Sequence, residues 1–197
     1  MDYYFGKYFS GDDGRPVWGE KSTSYIESEK AARRIRQHLP DTRVLLILRN
    51  PVYRALSNYF FSCDNLHETR SIREVFLDRL PPPEVRRPVS VSPFLYLERG
   101  EYASYVERYR GFFGAKLSVL IHERFVGSLE QIQRMYRFLG VDDGYRPQMP
   151  RCEENSTGAD YERYPEVLEF LRAYYEEPIR QLESQLGESL DCWRHTT

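Results

Sequence analysis

Arg49 and Ser57 carry the most readable chemistry in this chain: a guanidinium whose planar fork suits phosphate or sulfate oxygens, and a hydroxyl about two helical turns farther on. They stand in the segment RVLLILRNPVYRALSNYFFS, residues 43–62. The elements that must position them follow from the same segment. Arg43 to Leu48 is a near-continuous Val/Leu/Ile run, the pattern of a parallel strand buried on both faces. Asn50-Pro51 then leads into an amphipathic helix from Val52 to Cys63. Arg49 falls at the carboxyl end of the strand, where ligands collect in open α/β sheets, and the helix N-terminus adds N–H groups and a partial positive charge. A surface arginine before a proline-initiated helix gives the same local pattern, so the junction alone leaves both readings open.

The rest of the chain alternates in the same way. Ser28 to Leu39 has basic and apolar residues at helical spacing and stops at Pro40. Ser71-Ile72-Arg73-Glu74 is a capping box opening a helix to about Leu80, and Tyr102 to Phe113 is a helix closed by Gly114. Leu117 to Ile121 reads as a second buried strand. A second capping box, Ser128-Leu129-Glu130-Gln131, starts a helix that ends at Gly140, and a last long helix runs from about Pro165 to Leu186. Short apolar strands between helices predict an α/β domain with a parallel sheet flanked by helices. Residues 1–197 read as one domain, with Pro81-Pro82-Pro83 and Gly140 to Gly158 as internal loops.

Composition narrows the function classes. A 41% hydrophobic fraction gives a folded chain, and a net charge of −2 supplies no global field for nucleic acid or acidic lipid. Most of the 16 tyrosines are expected to pack, their hydroxyls reaching polar partners at the core edge. Cys63, Cys152 and Cys192 lie far apart, and their odd count suits a reducing, cytoplasmic compartment. The cysteines and the four histidines show no metal-ligand spacing, so no metal is expected. No stretch is long and apolar enough for a membrane span, and no export signal is visible.

Several segments together resemble the sulfotransferases that use 3′-phosphoadenosine 5′-phosphosulfate (PAPS), especially the heparan-sulfate type and its bacterial relatives. Gly19-Glu20-Lys21-Ser22-Thr23-Ser24-Tyr25 is similar to that family's Glu-Lys-Ser/Thr-Pro-x-Tyr segment. Leu48-Arg49-Asn50-Pro51 through Arg54, Ser57 and Tyr59 resembles its Leu-Arg-Asp-Pro-x-x-Arg-x-x-Ser-x-Tyr segment, the more specific match. Arg99-Gly100-Glu101-Tyr102, Leu117 to Glu123, Phe138-Leu139-Gly140-Val141 and the ending from Tyr174-Tyr175 to Trp193 follow in the family's order. The resemblance implies a P-loop-NTPase-like fold and an enzyme that moves a sulfuryl group from PAPS to an acceptor hydroxyl or amine, releasing 3′-phosphoadenosine 5′-phosphate (PAP), without a metal. By it, Arg49 and Ser57 hold the 3′-phosphate, and Lys21 with Glu20 lies at the catalytic centre near the acceptor. Arg99 and Tyr102 close over the nucleotide, although a helix-entry glycine followed by a packed tyrosine explains them as well. Arg151, with Asn155 and Ser156, is a weaker candidate for the cofactor.

One part of the pattern is missing. Family members carry a first strand and a Lys-x-Gly-Thr-Thr loop that wraps the phosphosulfate; here Gly11-Asp12-Asp13-Gly14 stands nearest, and its aspartates repel phosphate. The reading is thus of a shortened member lacking the first strand and loop, through a late start, a shortened polypeptide or genuine loss. A non-catalytic nucleotide-binding or interaction module is the alternative function, and the absence of Gly-x-x-x-x-Gly-Lys-Ser/Thr tells against a kinase. The uncovered sheet would invite self-association. Arg33, Arg34, Arg36 and Arg86-Arg87 suit an anionic saccharide or a solvated face, which leaves a small-molecule, lipid or saccharide acceptor.

Overall fold

The fold is built on a parallel pair of apolar strands, described in a computed structural model that covers residues 6–7, 17–83, 92–148 and 160–194. After a 3-10 turn at Tyr25–Glu27 come α1 (Glu29–His38), β1 (Val44–Leu48), α2 (Pro51–Asp64) and the short α3 (Ile72–Phe76). Then follow α4 (Tyr102–Phe113), β2 (Leu117–Ile121), the one-turn α5 (His122–Phe125), α6 (Leu129–Leu139) and α7 (Pro165–Leu186). β1 and β2 pair in parallel with Val44 opposite Leu117 and Leu48 opposite Ile121. The α/β architecture expected from the alternation is therefore present, and both strands end level with each other.

Local chemistry explains the boundaries. The Ser28 hydroxyl caps α1 by accepting from the Ala31 N–H at 3.1 Å, and Ser71 and Glu74 complete a reciprocal capping box on α3. Gly140 ends α6 in the left-handed conformation, φ 74°, which only glycine adopts without side-chain strain. α3 stops at Phe76 rather than near Leu80. Leu77 and Asp78 both turn their N–H groups onto the Arg73 carbonyl, Arg79 has φ 54°, and Pro81 disfavours a helical residue before it.

The core is the meeting of these elements. α7 contributes Leu168, Leu171, Tyr175, Ile179 and Leu182 at helical spacing, all buried, against Tyr102, Val106, Tyr109 and Phe113 of α4. Leu46, Leu48, Val52, Ala55 and Leu56 carry the same cluster into β1 and α2. Gly100 touches this core closely, since a Cβ there would lie 2.6 Å from Cε1 of Tyr175. One expectation needs correction: β1 is not buried on both faces. Ile47 is 53% exposed, and among the described residues β1 has a strand partner on one edge only. No helix among the described residues is long and apolar enough to cross a membrane.

Beyond α2 the chain turns at Leu66, which has φ 58° and is 88% exposed. The turn is closed by Leu66 N–H to the Cys63 carbonyl and by His67 and Glu68 N–H to the Ser62 carbonyl. A leucine in this conformation is strained and buries nothing. Leu66→Gly is expected to raise stability by about 0.5–1 kcal/mol, read as a higher urea midpoint at unchanged m-value.

Candidate active site

A cavity of about 580 Å³ opens at the carboxyl end of β1. Its walls come from the end of β1, from one face of α2, and from two segments distant in sequence. α2 presents Arg54, Ser57, Asn58, Phe61 and Asp64 to it, the spacing of a single helical face. Thr23, Ile26 and Glu27 close one side, and Arg99 and Tyr102 another. Four residues singled out in the sequence, Arg49, Ser57, Arg99 and Tyr102, thus line one cavity.

They are held in different ways. The Arg49 side chain is exposed, and among the described residues no ion pair engages its guanidinium. Ser57, half-buried on the α2 face, has no hydrogen-bond partner for its hydroxyl among the described residues. These two groups are therefore available to a ligand. Arg99 is already occupied: its Nη1 donates to Asn58 Oδ1 and its Nη2 to the Ser92 carbonyl, each at 3.0 Å, and its Nε lies 2.9 Å from Glu27 Oε1. Tyr102 donates its hydroxyl to the Arg49 carbonyl at 2.9 Å, and burial pushes its pKa up to about 12, so it acts as a donor that fixes the strand end.

The helix N-terminus contributes less than the junction implied. Pro51 has no N–H, the Asn50 side chain accepts from Val52 N–H at 3.0 Å, and Arg54 N–H goes to the Asn50 carbonyl. Asn50 N–H itself is taken at 2.8 Å by Glu123 Oε1. The Asn50 side chain thus takes the Val52 N–H, and the Arg49 guanidinium and the Ser57 hydroxyl are side-chain groups of this junction left open to an anion.

Sequence reasoning did not find what braces this corner. Glu123, just beyond β2, accepts from Asn50 N–H and from Trp193 Nε1 at 2.8 Å, and Asn50 Nδ2 reaches the Trp193 carbonyl at 3.0 Å. Arg54 donates to the Tyr96 carbonyl and, at 3.4 Å, to the Tyr175 hydroxyl. The helical spacing of Arg54 and Asn58 around Ser57 was the available signal for those two; Glu123 and Trp193 gave none. The Glu20–Lys21 strip is exposed and outside the cavity lining, although Thr23 reaches it. Glu20 Oε1 accepts from the Tyr25 hydroxyl at 2.9 Å. Arg151, Asn155 and Ser156 lie outside the described residues, as do Gly11 to Gly14 and Arg86-Arg87. Among the described residues no group of three or more His, Cys, Asp or Glu side chains is placed to hold a metal.

No protein-family profile matches the chain. The solved sulfotransferase from Alicyclobacillus acidocaldarius superposes with a TM-score of 0.77 at 27% identity, over 99% of this chain and 74% of that one. The chain is similar to sulfotransferases in fold and in sequence. Mouse heparan sulfate glucosamine 3-O-sulfotransferase 6 is 27% identical to it over 193 residues, covering 86% of this chain and 54% of the mouse protein. The bifunctional heparan sulfate N-deacetylase/N-sulfotransferase 1 of Xenopus laevis is 24% identical over 204 residues, covering 88% and 23%. The chain therefore spans about half the length of the mouse protein and under a quarter of the frog one.

Proposed function

We propose that this chain carries the nucleotide site of a sulfotransferase that moves a sulfuryl group from PAPS to an acceptor hydroxyl or amine, with PAP as product. One observation carries the reading: the Arg49 guanidinium and the Ser57 hydroxyl, both without a partner among the described residues, share the cavity at the carboxyl end of β1. They would hold the 3′-phosphate, the group that separates PAPS from ATP. Tyr102 and Glu123 support this site by fixing its walls, and Arg99 stands in the cavity lining beside Glu27. Lys21 would neutralise charge as the sulfuryl group moves, and Glu20, tied to Tyr25, would set the strip that carries it. Arg151 would add a further cation to the cofactor. The reaction needs no metal in this scheme.

The acceptor is assigned by class: a hydroxyl or amine of a saccharide, lipid or small molecule. The relatives' names support a saccharide, since they act on heparan sulfate. The cytoplasmic placement rests on cysteine usage, with Cys63 and Cys192 both free. The exposed Ile47 side chain and, among the described residues, the unpaired edge of β1 support self-association, which sedimentation at micromolar concentration would register.

Calorimetric titration of adenosine 3′,5′-bisphosphate against ADP tests the nucleotide site. The bisphosphate is expected to bind and ADP to bind at least about tenfold more weakly, and Ser57→Ala should cost about fivefold to tenfold against the bisphosphate alone. Equal affinity for the two nucleotides would remove 3′-phosphate recognition from the chain.

A further inference from the structure

Two acidic side chains, Glu27 and Asp64, line a cavity that the proposed function fills with an anion. Asp64 is exposed at the last position of α2, where water screens it. Glu27 is different. Its side chain is only 13% exposed, with Oε1 2.9 Å from Arg99 Nε as an ion pair that does not meet hydrogen-bond geometry, and its Oε2 is shut off from water with no donor among the described residues. Arg54, on the facing helix, has a buried Nε with no acceptor among the described residues. Glu27 and Arg54 both line this cavity, and each keeps a buried polar atom without a partner, which is costly and calls for a partner that supplies what each lacks.

The Glu27 side chain can leave Arg99 without unfolding its surroundings. The backbone of the Tyr25–Glu27 turn is held separately from α4, by Arg108 Nη1 on the Glu27 carbonyl at 3.4 Å and by the Tyr109 hydroxyl on the Tyr25 carbonyl. Arg99 meanwhile stays fixed by Asn58 and Ser92, aimed at the place the carboxylate now fills. A planar guanidinium pinned by two neutral acceptors and facing one carboxylate is a preorganised oxyanion receptor with an internal occupant.

Resting on the nucleotide reading above, we infer that Glu27 is a stand-in anion marking a second anion subsite at Arg99 and Arg54, separate from the Arg49–Ser57 pair. The ligand is accordingly doubly anionic. One phosphate sits at Arg49 and Ser57, and a second phosphate or sulfate displaces Glu27 from Arg99. Because Arg99 must give up one anion to accept the other, Glu27 holds down the affinity for the second group and so sets how tightly product is retained.

The test is a comparison of adenosine 3′,5′-bisphosphate with adenosine 3′-monophosphate by calorimetry, in wild type, Glu27→Gln, Arg99→Gln and the double variant. Glu27→Gln is expected to tighten the bisphosphate about tenfold more than the monophosphate, and that gain should vanish when Arg99 is also Gln. Equal tightening of both ligands, a gain that survives Arg99→Gln, or no gain would overturn the subsite. Should Glu27→Gln melt early, Glu27→Ser carries the same expectation, with circular dichroism confirming the fold. Failure of both nucleotides to bind wild type removes the nucleotide reading and the subsite together, whereas bisphosphate binding indifferent to Glu27 removes the subsite alone.

Discussion

Arg49→Ala is expected to weaken adenosine 3′,5′-bisphosphate binding by about tenfold to a hundredfold while leaving the fold intact. Charge-assisted hydrogen bonds to phosphate contribute roughly 1.5–3 kcal/mol, and each 1.4 kcal/mol is a factor of ten in affinity. The fold should tolerate the change because the Arg49 side chain is exposed, and its carbonyl, which Tyr102 anchors, is kept in the variant. Arg49→Lys should fall between, since it keeps the charge but loses the planar fork. Calorimetry gives the affinity and thermal melting the control. Unchanged affinity in Arg49→Ala would show that the cation at the end of β1 is not the phosphate ligand.

The largest stability effect is expected at Glu68, which is outside the cavity lining. Glu68 is 5% exposed, and its Oε1 accepts from the N–H groups of Thr69 and Arg70 and from Arg70 Nε, each at 3.0 Å. Its Oε2 takes Arg70 Nη2 at 2.6 Å and the Tyr96 hydroxyl at 3.0 Å. Removing the carboxylate strands an inward-facing guanidinium and several donors, so Glu68→Ala should cost about 3–5 kcal/mol, measured by urea unfolding. Tyr96 also offers its carbonyl to Arg54, so the loss should spread to the cavity wall. Burial works to raise the Glu68 pKa, but the hydrogen bonds from Arg70 and Tyr96 outweigh it and hold the carboxyl below its usual range. Glu183 behaves alike on the surface of α7: the Arg194 fork and the Leu190 N–H hold it at about 2 against a smaller opposing burial. For both, the folded pKa is below the unfolded one. Their stabilisation is complete above the ordinary glutamate pKa near 4.3 and is lost as pH falls through the depressed values. Wild type should therefore lose stability steeply below about pH 4, and Glu68→Ala should show a shallower acid limb.

What the sequence made legible was local. α4, β2 and α7 have the bounds that Gly114, the Leu117 to Ile121 run and Pro165 imply, because caps and apolar periodicity act within a few residues. The end of α3 was misjudged because Arg79 adopts a positive φ that its type does not announce. The apolar run alone implied burial of Ile47, and only the missing first strand pointed to an uncovered part of β1, because the coverage of a strand face depends on neighbours that a strand's own residues do not encode. Within the cavity, Arg49 and Ser57 could be brought together from one segment, since a strand end and two helical turns fix their relation. Pairs that close over long sequence distances could not. Glu27 with Arg99, Arg54 with the Tyr96 carbonyl, and Glu123 with Asn50 and Trp193 join segments that only tertiary packing places side by side. That is why the sequence places Arg99 only in a stretch that closes over the nucleotide, while the structure adds its contacts with Glu27, Asn58 and the Ser92 carbonyl.

A crystal structure of the chain with adenosine 3′,5′-bisphosphate tests the central claim most directly. The account predicts the 3′-phosphate within hydrogen-bond distance of both the Arg49 guanidinium and the Ser57 hydroxyl, at the carboxyl end of β1. A nucleotide bound with that phosphate elsewhere, and with Arg49 and Ser57 facing only water, would contradict it.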